Sequence, residues 1–257
     1  MTAKTVLITG GAARIGAVFA RGLAADGWTV CVHYNQSQSP AEALCNEIID
    51  AGGKAVNVQG DLTSQADVGA LIAKATKALG GPLTALINNA STFSPDTAQS
   101  VTDAMFDHHM DVNLRAPVML SRDFAAQCPK DAGGVIINMI DQRVLKPNPT
   151  YFSYSLAKSA LYSSTKTLAQ AFAPHVRVNG IGPGPTLQNT GQDEEMFLKE
   201  AQHTLLKRPS PPEDILAGVR YLLGAKSVTG QMIAVDSGQH LNWQTQDILS
   251  ATAKGAI

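Results

Sequence analysis

The chain has 257 residues, 44% of them apolar, a formal net charge of -1 and three cysteines. That apolar share supports a substantial core in one large α/β domain or two small ones. The near-neutral charge gives no footing for a nucleic-acid or polyanion partner, and Cys31, Cys45 and Cys128 form no CxxC pair, which argues against a zinc ribbon or disulfide framework and for a reducing compartment.

In chain order, residues 5–9 read as an apolar strand and 15–26 as a helix. Strand 29–34, helix 40–51, strand 55–59, helix 64–79 and strand 83–88 follow. Then come helix 101–126, strand 134–140, helix 151–171, strand 176–181, helix 212–223 and strand 232–236. Most strands are continuous apolar runs, as expected when both faces are covered. Strict alternation predicts an α/β fold, a doubly wound parallel sheet of about seven strands with helices on both faces. It is expected to form a single domain over 1–257. The stretch 182–212 is long for a strand-to-helix connection and rich in Pro, Gly and polar residues. It leaves the carboxyl end of a strand, so a substrate lid around 185–211 is expected, with a mobile insertion as the alternative. No leader pattern precedes the first strand, and no apolar run approaches the ~20 residues of a membrane span. A cytoplasmic protein with no membrane partner is the expectation.

The first strand runs into Gly10-Gly11-Ala12-Ala13-Arg14-Ile15-Gly16. Glycines there permit a tight turn and close approach of a pyrophosphate, and the helix start supplies N–H groups and a positive dipole end. Strand two ends at His33-Tyr34-Asn35-Gln36-Ser37, without the carboxylate that would bind a ribose 2′-hydroxyl and repel a 2′-phosphate. Arg14, Asn35 and Ser37 are then candidate phosphate donors, favouring NADP(H) over NAD, with His33 either assisting or packing. Asp61, followed by Leu62 after strand three, is placed to meet the adenine or to start a helix.

Tyr154 and Lys158 lie four apart and share a helix face. A phenol titrates near ~10, and a nearby ammonium lowers that value toward useful acid–base chemistry. His108 and His109 have no companions at metal-ligand spacing and are expected on a solvated helix face, so no metal site is expected. Tyr151 and Tyr162 are expected to pack near the helix that carries Tyr154.

The glycine turn, Asp61, Asn88-Asn89-Ala90, Asn113, Tyr154 with Lys158, and Gly182-Pro183-Gly184 occur in an order that resembles the short-chain dehydrogenase/reductase family over nearly the full length. The resemblance implies a Rossmann-like reductase, usually a tetramer, acting on a small-molecule substrate. Tyr154 would be the catalytic acid, and Lys158 would bind the nicotinamide ribose and depress the tyrosine pKa. Asn113 would kink its helix and hold a relay water. Asn89 and Ala90 would lie along the cofactor, with Gly10, Ile15, Gly16, Tyr34, Leu62, Pro183 and Gly184 completing its site. Two departures stand out: Arg14 where the family usually has Gly, and Asp141 where it usually has Ser. Both occur together in the pteridine reductase and dihydromonapterin reductase branch, which this chain also resembles at Val30 to Tyr34 and at Asn88 to Phe93. That likeness assigns Phe93 to stacking on a pterin, Ser91 to cofactor or pterin contacts, and Asp141 to proton delivery with Tyr154. An ionised carboxylate accepts hydrogen bonds only, so Asp141 suits a substrate with N–H donors rather than a simple carbonyl. The expectation is NADPH-dependent reduction of a pterin-like C=N bond. The alternatives are a ketone reductase on the same fold and a non-catalytic NADP-binding redox sensor.

Overall fold

The computed structural model describes residues 4–130, 133–189 and 192–243, with Thr245 and Ile248. Thr190 and Gly191 of the expected lid lie outside the described residues. The strands are β1 Thr5–Ile8, β2 Thr29–Tyr34, β3 Lys54–Gln59, β4 Ala85–Asn88, β5 Gly134–Met139, β6 Val176–Pro183 and β7 Met232–Val235. They form one parallel sheet in the order β3-β2-β1-β4-β5-β6-β7.

Alternation along β1 divides the core. Val6 and Ile8 join the side chains of α1 (Arg14–Ala25), α2 (Gln38–Asp50) and α8 (Pro212–Gly224) on one face. Leu7 joins those of α3 (Gln65–Leu79), α5 (Ala116–Gln127) and α6 (Phe152–Phe172) on the other. Both faces are therefore sealed over the middle of the sheet, which is why its central strands are largely apolar. The chain crosses from β3 over β1 to β4, so a crevice opens between the carboxyl ends of β1 and β4. Ligands of open α/β sheets bind at such a reversal.

Two elements depart from the sequence pattern. The expected helix over 101–126 is divided: α4 (Asp103–Met110), a π-helical turn at Asp111–Arg115, then α5. Pro117 lacks the N–H that would bond the Asn113 carbonyl, so the ladder shifts there. The stretch 185–211 contains a helix not read from the sequence, α7 (Glu194–Gln202). The Asp193 side chain caps it by accepting the Met196 N–H at 2.7 Å, and Glu194 and Glu195 occupy its first turn. No helix among the described residues is long and apolar enough to cross a membrane.

Candidate active site

The glycine turn is held by side chains from the neighbouring strands. His33 accepts the Gly10 N–H at Nδ1 (3.1 Å), and its Nε2 meets the Gly60 carbonyl at 3.0 Å, so Nε2 carries the ring proton. The ring is 2% exposed and burial lowers its pKa to about 4. His33 thus ties the turn to the end of β3 with both nitrogens engaged, and its ring also borders the space at the end of β2. From β4, Asn89 Nδ2 donates to the Thr9 and Gly10 carbonyls at 2.9 and 3.1 Å. The N–H groups of Asn89 and Ala90 donate to Thr9 Oγ1. Gly16 has no room for a side chain: a Cβ would stand 2.3 Å from the Gly10 oxygen. No side chain caps α1, leaving first-turn N–H groups for an anion. The residues fit a dinucleotide: an uncapped helix end beside a glycine turn, and a space lined by Gly10, Ala13, Tyr34, Asn35 and Ser37.

Arg14 takes the family's glycine position with φ at 51°, a left-handed conformation that costs a non-glycine residue about 1–2 kcal/mol. Its Nη1 donates to the Gln188 carbonyl at 2.9 Å, and the side chain lines the cleft beside Tyr154, not the space at the end of β2. Ser37 and Asn35 do border that space. Asp61 accepts from Thr63 N and Oγ1 at 2.9 and 2.8 Å, bonds that hold its carboxyl below the usual range. The Leu62 side chain belongs to the core between β3 and α3, and away from both cofactor-side spaces.

The second cleft, about 240 Å³, is lined by Ile15, Asn89, Ser91, Phe93, Asp141, Tyr154, Lys158, Pro183 and Gly184, among others. Tyr154 Oη donates to Asp141 Oδ2 at 2.7 Å, and Asp141 Oδ1 accepts the Arg143 N–H at 2.7 Å. Lys158, 2% exposed, donates to the Met139 carbonyl at 2.8 Å. Its Nζ is 5.7 Å from the Tyr154 ring centre. Burial pushes the Asp141 carboxyl up, against the Arg143 N–H, the Tyr154 bond and the Arg143 and Lys158 charges. Burial and the Asp141 charge push the Tyr154 phenol well above its usual value. The expected depression of the tyrosine by Lys158 is thus absent, and Lys158 itself falls to about 8 because it is buried. In this arrangement the phenol is a proton donor held against a carboxyl whose pKa burial raises.

Asn113 is fully buried in the π turn and does not line the cleft. Its Oδ1 accepts from Ser91 Oγ (2.8 Å) and Thr92 N (3.1 Å), and its Nδ2 donates to the Thr92 carbonyl (3.0 Å). It anchors the loop that carries Phe93. That ring makes an edge contact with Tyr154 at 4.7 Å and stacks on Tyr151 at 4.0 Å, within 7° of parallel. Tyr151 is not among the cleft's lining residues, so it backs Phe93 and leaves the other face to the cleft.

Sequence reasoning missed a buried clamp. His109, expected in solvent, is 0% exposed. Its Nε2 accepts the Ser94 N–H at 3.2 Å, and its Nδ1 meets Ser153 Oγ at 2.6 Å. Ser153 Oγ donates to Asp96, which also accepts the Ser153 N–H and caps α6 from outside the helix. The Phe93 loop, α4 and the start of α6 are thereby locked together. Only the His–x3–Asn spacing hinted at it, since Asn113 and His109 share a face one turn apart. Among the described residues no group of three or more His, Cys, Asp or Glu is arranged to hold a metal.

The chain belongs to the short-chain dehydrogenase family, whose model matches residues 4–199. It is thus an oxidoreductase of that class. It is 45% identical, with a TM-score of 0.92, to FolM alternative dihydrofolate reductase 1 from Brucella canis, solved with NADP; 95% of this chain and 97% of that one are covered. A blue fluorescent protein from a metagenomic library, solved with NADPH, is 30% identical, with a TM-score of 0.86 and coverage of 92% and 97%. A 3-oxoacyl-[acyl-carrier-protein] reductase of Synechocystis is 32% identical over 244 residues, covering 93% of this chain and 97% of that protein.

Proposed function

We propose that this protein uses NADPH to reduce a C=N bond in a pterin-like ring. The single observation that carries the reading is the 2.7 Å bond from Tyr154 to Asp141 on the cleft wall beside Phe93. A serine at that position would donate to a carbonyl oxygen. A half-buried carboxyl instead pairs with ring N–H groups and, when protonated, gives a proton to nitrogen. Phe93, backed by Tyr151, offers one flat face to a heteroaromatic ring. The likeness to the Brucella dihydrofolate reductase supports the same substrate class.

Bound nicotinamide would supply the hydride; Asn89, Ala90, Ile15, Pro183, Gly184 and Lys158 would hold it, with Gly10 and Gly16 under the pyrophosphate. The chain's own work is on the proton. Tyr154, kept as a phenol, with Asp141 as its hydrogen-bonded partner, delivers a proton to the ring nitrogen next to the carbon that gains hydride. Lys158 presents its ammonium to the nicotinamide ribose. NADPH is favoured over NADH because no carboxylate borders the space at Asn35 and Ser37, and α2 begins there without a side-chain cap. Residues 185–211 act as a lid, latched by Arg14 on Gln188. A cytoplasmic homo-oligomer, a tetramer by family likeness, completes the proposal.

The test is NADPH and NADH oxidation with a panel of dihydropterins and simple ketones. Dihydropterin reduction with preference for NADPH is expected. Ketone reduction without pterin reduction would leave only the generic reductase.

A further inference from the structure

Five charged side chains line the cleft, and four of them are engaged within the protein. Arg14 donates to the Gln188 carbonyl, and Lys158 to the Met139 carbonyl. Asp141 accepts from Tyr154 and from the Arg143 N–H. Glu200, on α7, accepts from Gln192 and Gln239 at 3.1 Å each. Among the described residues the Arg143 guanidinium, which lines the same cleft, has no hydrogen bond and no ion pair.

It is nevertheless located. Its central carbon lies 5.0 Å from the Tyr151 ring centre and 5.6 Å from that of Phe93. At those distances a guanidinium is attracted by the negative ring faces. Such contacts fix the group without spending its N–H donors. Its backbone sits in a 3-10 turn at Gln142–Val144, whose start is pinned by the Arg143 N–H bond to Asp141. The protein thus carries a positioned planar fork, its five donors unspent among the described residues, at the edge of the aromatic platform and one turn from the proton-donating pair. A guanidinium of this kind suits a carboxylate, which it meets with two parallel bonds.

We infer that Arg143 is a specificity-determining residue that recognises a carboxylate on the substrate, so that the cleft favours dihydropterins with an acidic tail over uncharged ones. The inference rests on the pterin reading above and deepens it. Arg143 acts in binding, while Tyr154 and Asp141 carry the proton.

The experiment compares steady-state NADPH oxidation on 7,8-dihydrofolate, whose tail carries carboxylates, and on 6-methyl-7,8-dihydropterin, which has none. Wild type, Arg143→Gln and Arg143→Lys are each measured on both. The wild type is expected to prefer dihydrofolate. Arg143→Gln should lower kcat/KM for dihydrofolate by about ten- to a hundredfold, the range of a charge-assisted hydrogen bond, and mainly through KM. The fall on the methyl compound should be at least several-fold smaller. Arg143→Lys, which keeps the charge and loses the fork, should recover part of the preference. Equal falls on both substrates would mean that Arg143 only supports Phe93 and Asp141, and would overturn the inference while leaving the pterin reading intact. No fall on dihydrofolate, or a wild type without preference for it, overturns the inference equally. A wild type that reduces neither dihydropterin overturns both readings.

Discussion

The two ends of the central crevice are built on opposite principles. At the glycine turn, neutral groups close on one another: His33 accepts the Gly10 N–H, Thr9 Oγ1 accepts the Asn89 N–H, and the Asn89 side chain donates to the Gly10 carbonyl. At Tyr154, ionisable groups are buried against their preference, and burial is the largest cause shifting Asp141, Tyr154 and Lys158 alike. A cofactor that is bound and released many times needs a shape that costs nothing to reform. Proton transfer needs groups whose charged and neutral forms are close in free energy. The first end is organised for geometry and the second for ionisation.

The largest effect that would separate them is on turnover. Tyr154→Phe keeps the ring against Phe93 but removes the proton, so kcat should fall about 10²–10⁴-fold while NADPH affinity stays near wild type. A folded variant with near-normal kcat in the same assay breaks the distinction.

Stability should move the other way at Lys158. Its pKa is 10.5 in the ordinary case and about 8 here. Between those values the unfolded chain holds a proton that the folded protein has released, so this residue's contribution to stability rises with pH across that window and is unfavourable below it. Lys158→Met should abolish activity and stabilise the cofactor-free protein at neutral pH by up to about 3 kcal/mol. Urea melts from pH 7 to 10.5 should show a shallower rise than wild type.

His33 gives the acid-side counterpart. Its pKa drops from 6.5 to about 4, so the unfolded chain takes up a proton first as the solution is acidified. Its stabilising part is whole above the unfolded value and is lost as pH falls from 6.5 to 4. It amounts to about 3 kcal/mol. In His33→Leu, denaturant melts over that range should lose this component, and NADPH affinity should fall because Gly10 is no longer held. An acid dependence identical to wild type would show that the turn does not rely on the neutral ring. Smaller still is Gly16→Ala, where the new methyl must displace the Gly10 carbonyl. Overpacking of that kind costs about 1–3 kcal/mol, and calorimetric titration should find weaker NADPH binding with little change in kcat at saturation.

Much of this was legible in the sequence because backbone chemistry writes itself into residue choice. Continuous apolar strands and the early glycine turn predict a doubly wound sheet, and all seven strands lie within a few residues of their expected places. The departures come from long-range partners. The bond of Arg14 to the Gln188 carbonyl, far along the chain, has no signal in its sequence neighbours. His109 reads as solvated, yet Ser94 and Ser153 enclose it. Lys158 reads as the group that tunes Tyr154, but burial and Asp141 outweigh an ammonium engaged with Met139. Spacing places side chains on one face of a helix and says nothing of how dry that face becomes.

The most direct test of the account is the kinetics of Asp141→Ser on a dihydropterin and on a ketone panel, with NADPH. Replacing the carboxyl by a hydroxyl removes the acidic proton partner of Tyr154 while restoring the group common in the wider family. The account predicts that wild type reduces the dihydropterin, and that Asp141→Ser loses about 10²-fold or more of that activity while keeping or gaining activity on ketones. A wild type that reduces ketones, ignores dihydropterins and is indifferent to the loss of Asp141 would contradict it.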